Sequence, residues 1–499
     1  MADAGFEKKL RADLPRGMEG IEDRGLLSRW AAADELTGPW DYKGDGLLLG
    51  KLGGRRIGWN DNRHVLTVAG SRAGKGVSLI IPNLIFYPGS VFVIDPKGEN
   101  AFHTAKRREQ IGQRVHVLDP FGVSDCKLAR FNPLADLDLD DRDLIEDAGV
   151  FADALIEHPP TGERYWTESA QGLIRALILL TLAQHPHRRN LITMRRLLML
   201  TDQAITRRIK QEKYNHPKSD KRPPMERQAA LWALLSDQKG KRHGDVCAGV
   251  AEQFKSLTEK ELGSVLSTAR SQTQWLDDRR IQSVLRRSDF RMRDLKTRPT
   301  SIYLCLPAMR MGTHAKWLRL MILHALNVME RTPNVPGPPA LFVLDEFPVL
   351  GYLRSIEVAA GLMAGFGVKL WTIVQNIGQL KQHYKASWET FFANAGLMTA
   401  FGVIDHESQT AITAKLGKFR MVEKVATGAV GSALLAGDLA EKENHYDIQL
   451  LAEDEIGRVF AREKNRMIAL GAGYPPAIIE RFIYFDDPLF KGLYRDRVR

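Results

Sequence analysis

A chain of 499 residues is too long for one compact core, so two or three domains are expected. Charged residues at 26% and hydrophobic residues at 44% are ordinary globular values; they exclude a disordered chain and a membrane-embedded body. The formal net charge of +11 makes the protein basic, and its three scattered cysteines, Cys126, Cys247 and Cys305, lack metal-ligand spacing and read as free thiols in a reducing cytoplasm.

In chain order, residues 1–54 mix acids, bases and glycines, with weak helical periodicity at 10–14 and 26–36 and no apolar centre of a signal peptide. They read as an appendage. From residue 55 the pattern becomes α/β: an apolar strand over 63–69 runs into Gly70, Ser71, Arg72, Ala73, Gly74, Lys75, Gly76 and Val77. A glycine loop with one lysine, between a strand and a helix, lets backbone N–H groups wrap a polyphosphate while the lysine reaches its β and γ groups. The loop departs from G-x-x-x-x-G-K-[ST] twice, with Ala69 at the first glycine and Gly76 where a magnesium-binding hydroxyl is expected. Taken alone it also fits a plain glycine turn. Ser71 and Ser78 are the hydroxyls nearby, and Pro82 predicts a short or kinked helix.

A strand over 90–95, a helix over 101–111 and a strand over 114–119 continue the alternation, which implies a parallel sheet. Asp95 and Lys97 follow the first of these strands and are either accessory to a nucleotide site or parts of a turn. Between about 138 and 298 the β signal gives way to helical periodicity, for example Leu173, Ile174, Leu177, Ile178 and Leu180 on one side of 165–185, which predicts an all-helical insertion. Within it, residues 184–242 carry fifteen Lys and Arg against five Asp and Glu, a local charge of +10. Arg207, Arg208 and Lys210 stand in this stretch as candidate contacts to a DNA backbone. The alternative is a solvated basic helix face with a loose loop around 217–224.

Strands return at 301–306, 341–345, 369–375 and 397–402, so one sheet is expected from two separated pieces of chain. The strand at 341–345 ends in Asp345 and Glu346, a pair suited to holding Mg²⁺ through its water shell and to orienting or deprotonating an attacking water. Such a pair also caps helices. The glycine-rich stretch 426–440 reads as a surface loop.

The motifs Gly74-Lys75-Gly76-Val77, Asp95-Pro96-Lys97-Gly98-Glu99-Asn100, Asp119-Pro120-Phe121, Phe131-Asn132-Pro133-Leu134 and Asp345-Glu346-Phe347-Pro348 occur in one order, with Trp166, Gln375 and Pro475-Pro476. In these residues the chain resembles the TraG-type coupling proteins of type IV secretion over about 47–490. The resemblance implies an α/β fold, a RecA-like P-loop ATPase domain with a parallel-rich sheet, in two parts (55–137 and 300–490) separated by an all-alpha domain (138–299) and followed by a tail (491–499). It further implies ATP and Mg²⁺ as cofactors, a ring of six subunits, and DNA together with type IV secretion or relaxase-complex proteins as partners. Lys75 would neutralise the phosphates, Asp345 hold the metal, Glu346 the water, and Gln375 sense the γ-phosphate; glycine after the P-loop lysine is usual in this family. Rings of this kind commonly take an arginine from a neighbour, for which Arg354 and Arg420 are the candidates. Members usually begin with membrane-spanning helices, and this sequence has no run near the roughly 20 apolar residues one needs. The expected setting is therefore cytoplasmic, peripheral to the inner membrane through a partner protein. The expected activity is ATP-driven DNA translocation, the alternative a nucleotide-switched receptor platform for protein substrates.

Overall fold

The structure is a computed structural model and describes residues 28–158, 164–215, 226–427 and 440–496. The periodicity at 10–14, most of the stretch 426–440 and most of the loop around 217–224 lie outside the described residues. The chain divides into two compact units, one of residues 1–91, 106–111 and 336–499, the other of 92–105 and 112–335.

The first unit is built on a sheet whose strands are β1 (Leu47–Leu52), β2 (Arg55–Trp59), β3 (His64–Ala69), β7 (Ala340–Leu344), β8 (Val368–Val374), β9 (Ala395–Phe401), β12 (Arg466–Gly471) and β13 (Ala477–Glu480), in the order β2-β1-β13-β12-β9-β3-β8-β7. From β9 to β7 neighbouring strands are parallel, with Leu66 opposite both Thr372 and Met398. Every residue of β3, β7 and β8 is buried, which is why they read as near-continuous apolar runs rather than alternating ones. The register is also held by polar contacts: Thr67 Oγ1 lies 2.8 Å from Thr399 Oγ1 and accepts from Trp371 Nε1 at 2.8 Å.

Beside this parallel part the sheet carries an antiparallel flank: β12, β13, β1 and β2 pair antiparallel in succession beyond β9. Strand β1 falls inside the stretch read as an appendage. Its pattern was hidden because five of its six residues are buried, leaving no alternation to see. A separate antiparallel pair, β10 (Lys418–Thr427) with β11 (Ala440–Gln449), encloses most of the stretch read as a surface loop.

The second unit holds β4 (Val91–Asp95), β6 (Thr300–Cys305) and β5 (Arg114–Leu118) in that order, β5 and β6 parallel. Among the described residues the chain from 119 to 299 contributes helices and no named strand. The helix Tyr165–Leu182 buries Leu173, Ile174, Leu177, Ile178 and Leu180 and packs against Leu144–Leu155, Leu191–Leu198, Gly244–Ser256 and Glu259–Gln272.

Much of the local positive charge is consumed inside this unit. Arg195, 4% exposed, reaches both carboxylate oxygens of Asp277 at 3.0 and 2.6 Å and the Thr273 hydroxyl at 2.9 Å. Arg188 pairs with Asp202, Arg208 with Asp237 at 2.9 Å, and Arg242 with Asp140 at 2.6 Å. The half-exposed pairs contribute little to stability. They do reduce the free positive charge that the sequence count suggests.

Candidate active site

The loops after β3, β7 and β8 follow three adjacent parallel strands, so the topology brings them to one sheet edge, where α/β sheets place ligands. Glycine is required twice in the first loop. Gly74 has φ +93°, and a Cβ on Gly70 would lie 2.0 Å from the carbonyl oxygen of Gly402. The Ala73 N–H donates to Gly70 O at 3.1 Å, so it is turned into the loop, whereas Ser71 and Arg72 are exposed. Arg72 is left-handed, at φ 58°.

The helix that follows opens with a π turn over Gly76–Ile80 and continues as α-helix over Ile81–Phe86. Pro82 stands in the first α turn, where a missing N–H costs nothing, so it begins that segment rather than kinking it. Ser78 is ruled out as a hydroxyl facing the loop's ligand side: it is buried, donates to Gly74 O at 2.9 Å and accepts from Arg481 at 3.1 Å. At Gly76 nothing lies within 4 Å of where a Cβ would stand, so the glycine there answers no steric need.

Lys75, Asp345, Glu346 and Gln375 meet at this edge. Lys75 Nζ stands 2.6 Å from Glu346 Oε1 and 2.9 Å from Asp345 Oδ1, and Gln375 Nε2 donates to Glu346 Oε2 at 2.8 Å. Burial opposes the charge on Lys75, but Asp345 and Glu346 outweigh it and hold its pKa above the ordinary lysine value. Burial pushes the Asp345 carboxyl above its ordinary value, against the lowering pull of Lys75. Glu346 adopts the left-handed conformation at φ 60°, a strain of about 1–3 kcal/mol that structures keep mainly at functional sites.

Asp95, 1% exposed, accepts from the Ala101 N–H at 2.8 Å in the first turns of the helix Glu99–Gln110, while Lys97 is exposed. Arg207 and Lys210 are exposed on the helix Gln203–Asn215, in the second unit. Arg420 is bound to Asp447 across the β10–β11 pair at 2.8 Å, and Arg354 is exposed at the start of the helix Arg354–Leu362.

The residue that the sequence reading missed is Arg481, 4% exposed, just past β13. Its guanidinium donates to Ala73 O at 3.0 Å, to Ser78 Oγ at 3.1 Å and to Arg462 O at 3.2 Å, and lies 4.1 Å from the Phe401 ring centre. Burial, with Arg462 nearby, lowers its pKa to about 10. No local signal marks it, since its partners in the loop are 408 and 403 residues away in sequence. Hydrogen bonds to a charged group contribute about 1.5–3 kcal/mol, so Arg481→Ala is expected to weaken nucleotide affinity about ten- to a hundredfold. Arg481→Lys should recover part of that loss. A titration with a fluorescent ATP analogue measures it, and unchanged affinity in the alanine variant would show that the loop holds its shape unaided.

The chain is similar to known proteins over most of its length. The family model described as Type IV secretory system Conjugative DNA transfer matches residues 30–496. The chain is 26% identical over 513 residues to the Conjugal transfer protein TraG of Escherichia coli, spanning 95% of this chain and 76% of that protein. To Protein VirD4 of Agrobacterium fabrum it is 26% identical over 494 residues, spanning 94% of this chain and 67% of the relative. In fold it is similar to the plasmid coupling protein TrwB in complex with the non-hydrolysable ATP analogue ADPNP, with a TM-score of 0.64 at 14% identity, over 91% of this chain and 94% of that one. The unbound TrwBdeltaN70 form gives a TM-score of 0.63 at 13% identity, over 91% and 92%. No helix among the described residues is long and apolar enough to cross a membrane.

Proposed function

This chain belongs to the Type IV secretory system Conjugative DNA transfer family, and from that premise we propose that it is an ATP-driven coupling protein that recruits DNA, or a nucleoprotein substrate, and moves it toward a type IV secretion or conjugation machine. The observation that carries the reading is the convergence of Lys75, Asp345, Glu346 and Gln375 on one point at the end of three parallel strands. The Lys75 ammonium is shared between the two carboxylates; a polyphosphate bound at the loop would compete for it, leaving the carboxylates available for chemistry.

The donor set fits Mg²⁺. Asp345 Oδ1 is buried with the Lys75 ammonium 2.9 Å away, and a hard carboxylate oxygen that already faces a cation suits a hard cation. When bound, the ion neutralises charge on the β and γ phosphates. Asp345 would hold the ion, and the N–H groups of Gly74, Gly76 and Val77 would line the phosphates. Glu346 orients the attacking water and accepts its proton, while Gln375 holds the Glu346 carboxylate in place and senses the γ-phosphate. Arg481 supports the loop from behind and touches no substrate.

The working assembly is a ring of six subunits with nucleotide at the boundaries. It acts with type IV secretion or relaxase-complex proteins at the cytoplasmic side of the inner membrane, reached through a partner protein. The test is the ATPase rate against added single- and double-stranded DNA, across protein concentrations, with Lys75→Ala and Glu346→Gln as controls. Stimulation by DNA that fades as salt rises from about 50 to about 200 mM is the expected result. Hydrolysis indifferent to DNA would instead favour a nucleotide-switched receptor for protein substrates.

A further inference from the structure

In the second unit the turn Pro186–Arg188, the helices Leu191–Leu198 and Gln203–Asn215 and the end of Arg279–Leu285 surround a cavity of about 530 Å³. That is room for a ligand well beyond a single small ion. Arg188, Arg196 and Arg286 line it with His187, and the lining carboxylate, Asp202, is buried and already paired with Arg188. Arg196 and Arg286 are exposed, and neither side chain has a hydrogen-bond or ion-pair partner among the described residues. Arg207, outside the lining, has its Nη2 3.5 Å from Oε1 of the lining Gln203.

Two unneutralised guanidiniums in one concave polar wall repel cations and offer nothing to an apolar ligand. Their planar donor forks match oxyanions with two or more accepting oxygens. We propose that this cavity binds phosphate oxyanions, supplied by a polynucleotide backbone or by free phosphate compounds. This rests on the translocase reading for its polynucleotide arm only.

The test uses the full chain with the nucleotide site filled by ADP. Wild type is compared with Arg196→Ala/Arg286→Ala and with Lys239→Ala/Lys241→Ala, which removes equal charge from exposed positions outside the cavity lining. Probes are a labelled oligothymidylate read by anisotropy and pyrophosphate read by calorimetry. The arginine pair is expected to lose at least about tenfold in oligonucleotide affinity and to flatten the slope of log K against log salt by about 1.4; the lysine pair should lose less than about threefold. Unstimulated hydrolysis should be unchanged in both. A loss confined to the oligonucleotide assigns the cavity to polynucleotide backbone; an equal loss with pyrophosphate assigns it to phosphate groups of either source. Equal affinities for both probes in wild type and the arginine pair would overturn the cavity proposal while leaving DNA-stimulated hydrolysis standing. Loss of pyrophosphate binding without any DNA stimulation would uphold the cavity and sink the motor.

Discussion

Glu346→Gln is expected to lower ATP turnover by about 10²–10⁴-fold while leaving nucleotide binding nearly intact. The substitution preserves shape, and the 2.9 Å pair between Lys75 and Asp345 remains to organise the phosphate and metal side of the site. What disappears is the carboxylate that can take the proton of the attacking water. An amide can still accept from Gln375, whose Nε2 now stands 2.8 Å from Glu346 Oε2, so the side chain should keep its direction. Single-turnover hydrolysis beside equilibrium binding of an ATP analogue separates the two effects. Turnover near the wild-type value would place the base elsewhere; lost binding would make Glu346 a structural partner of Lys75 rather than a proton acceptor.

Lys75→Ala should reduce ATP affinity by about a hundredfold or more, because the lysine is the cation of the loop and a charge-assisted contact to phosphate is among the strongest polar contacts a site makes. It should also change the nucleotide-free protein. Burial already raises the Asp345 pKa, and Lys75 is the main influence pulling it down. With the ammonium gone, the Asp345 pKa rises further. A carboxyl whose folded pKa exceeds its unfolded value contributes stability that is full below the unfolded pKa and is lost as pH rises through the folded one. The variant should therefore match wild type most closely in acid, and the gap in apparent Tm should widen as pH rises above the ordinary carboxyl range. Breaking a buried pair costs about 3–5 kcal/mol, and this partly exposed site should show less. A pH-independent gap would mean that Asp345 does not carry the difference.

Asp95 shows how a residue type can satisfy two readings. Its position after a strand in Asp95-Pro96-Lys97-Gly98 suits a nucleotide accessory or a turn, and the structure has its carboxylate accepting from the Ala101 N–H. The basic stretch is similar. Counting charges along 184–242 gives a strong excess, yet Asp202, Asp237, Asp140 and Asp277 meet Arg188, Arg208, Arg242 and Arg195. Asp140 and Asp277 lie outside the counted window, so a count along the chain could not include them.

By itself the sequence determined the elements whose signal is local. The fully buried runs of β3, β7 and β8, the glycine loop around Lys75, the carboxylate pair ending β7 and the long apolar stripe of Tyr165–Leu182 each lie within a few turns of chain, where hydrophobic period and glycine placement report burial and backbone conformation directly. The tertiary structure alone decided how these pieces meet. That Lys75 is shared by Asp345 and Glu346, 271 residues from the latter, that Gly402 leaves no space for a side chain on Gly70, and that Arg481 supports the loop from the far end of the chain depend on strand order. So does the antiparallel flank that joins 47–59 to 466–480. Local periodicity records which face of an element is buried; which element buries it is settled only by the packing of the whole sheet.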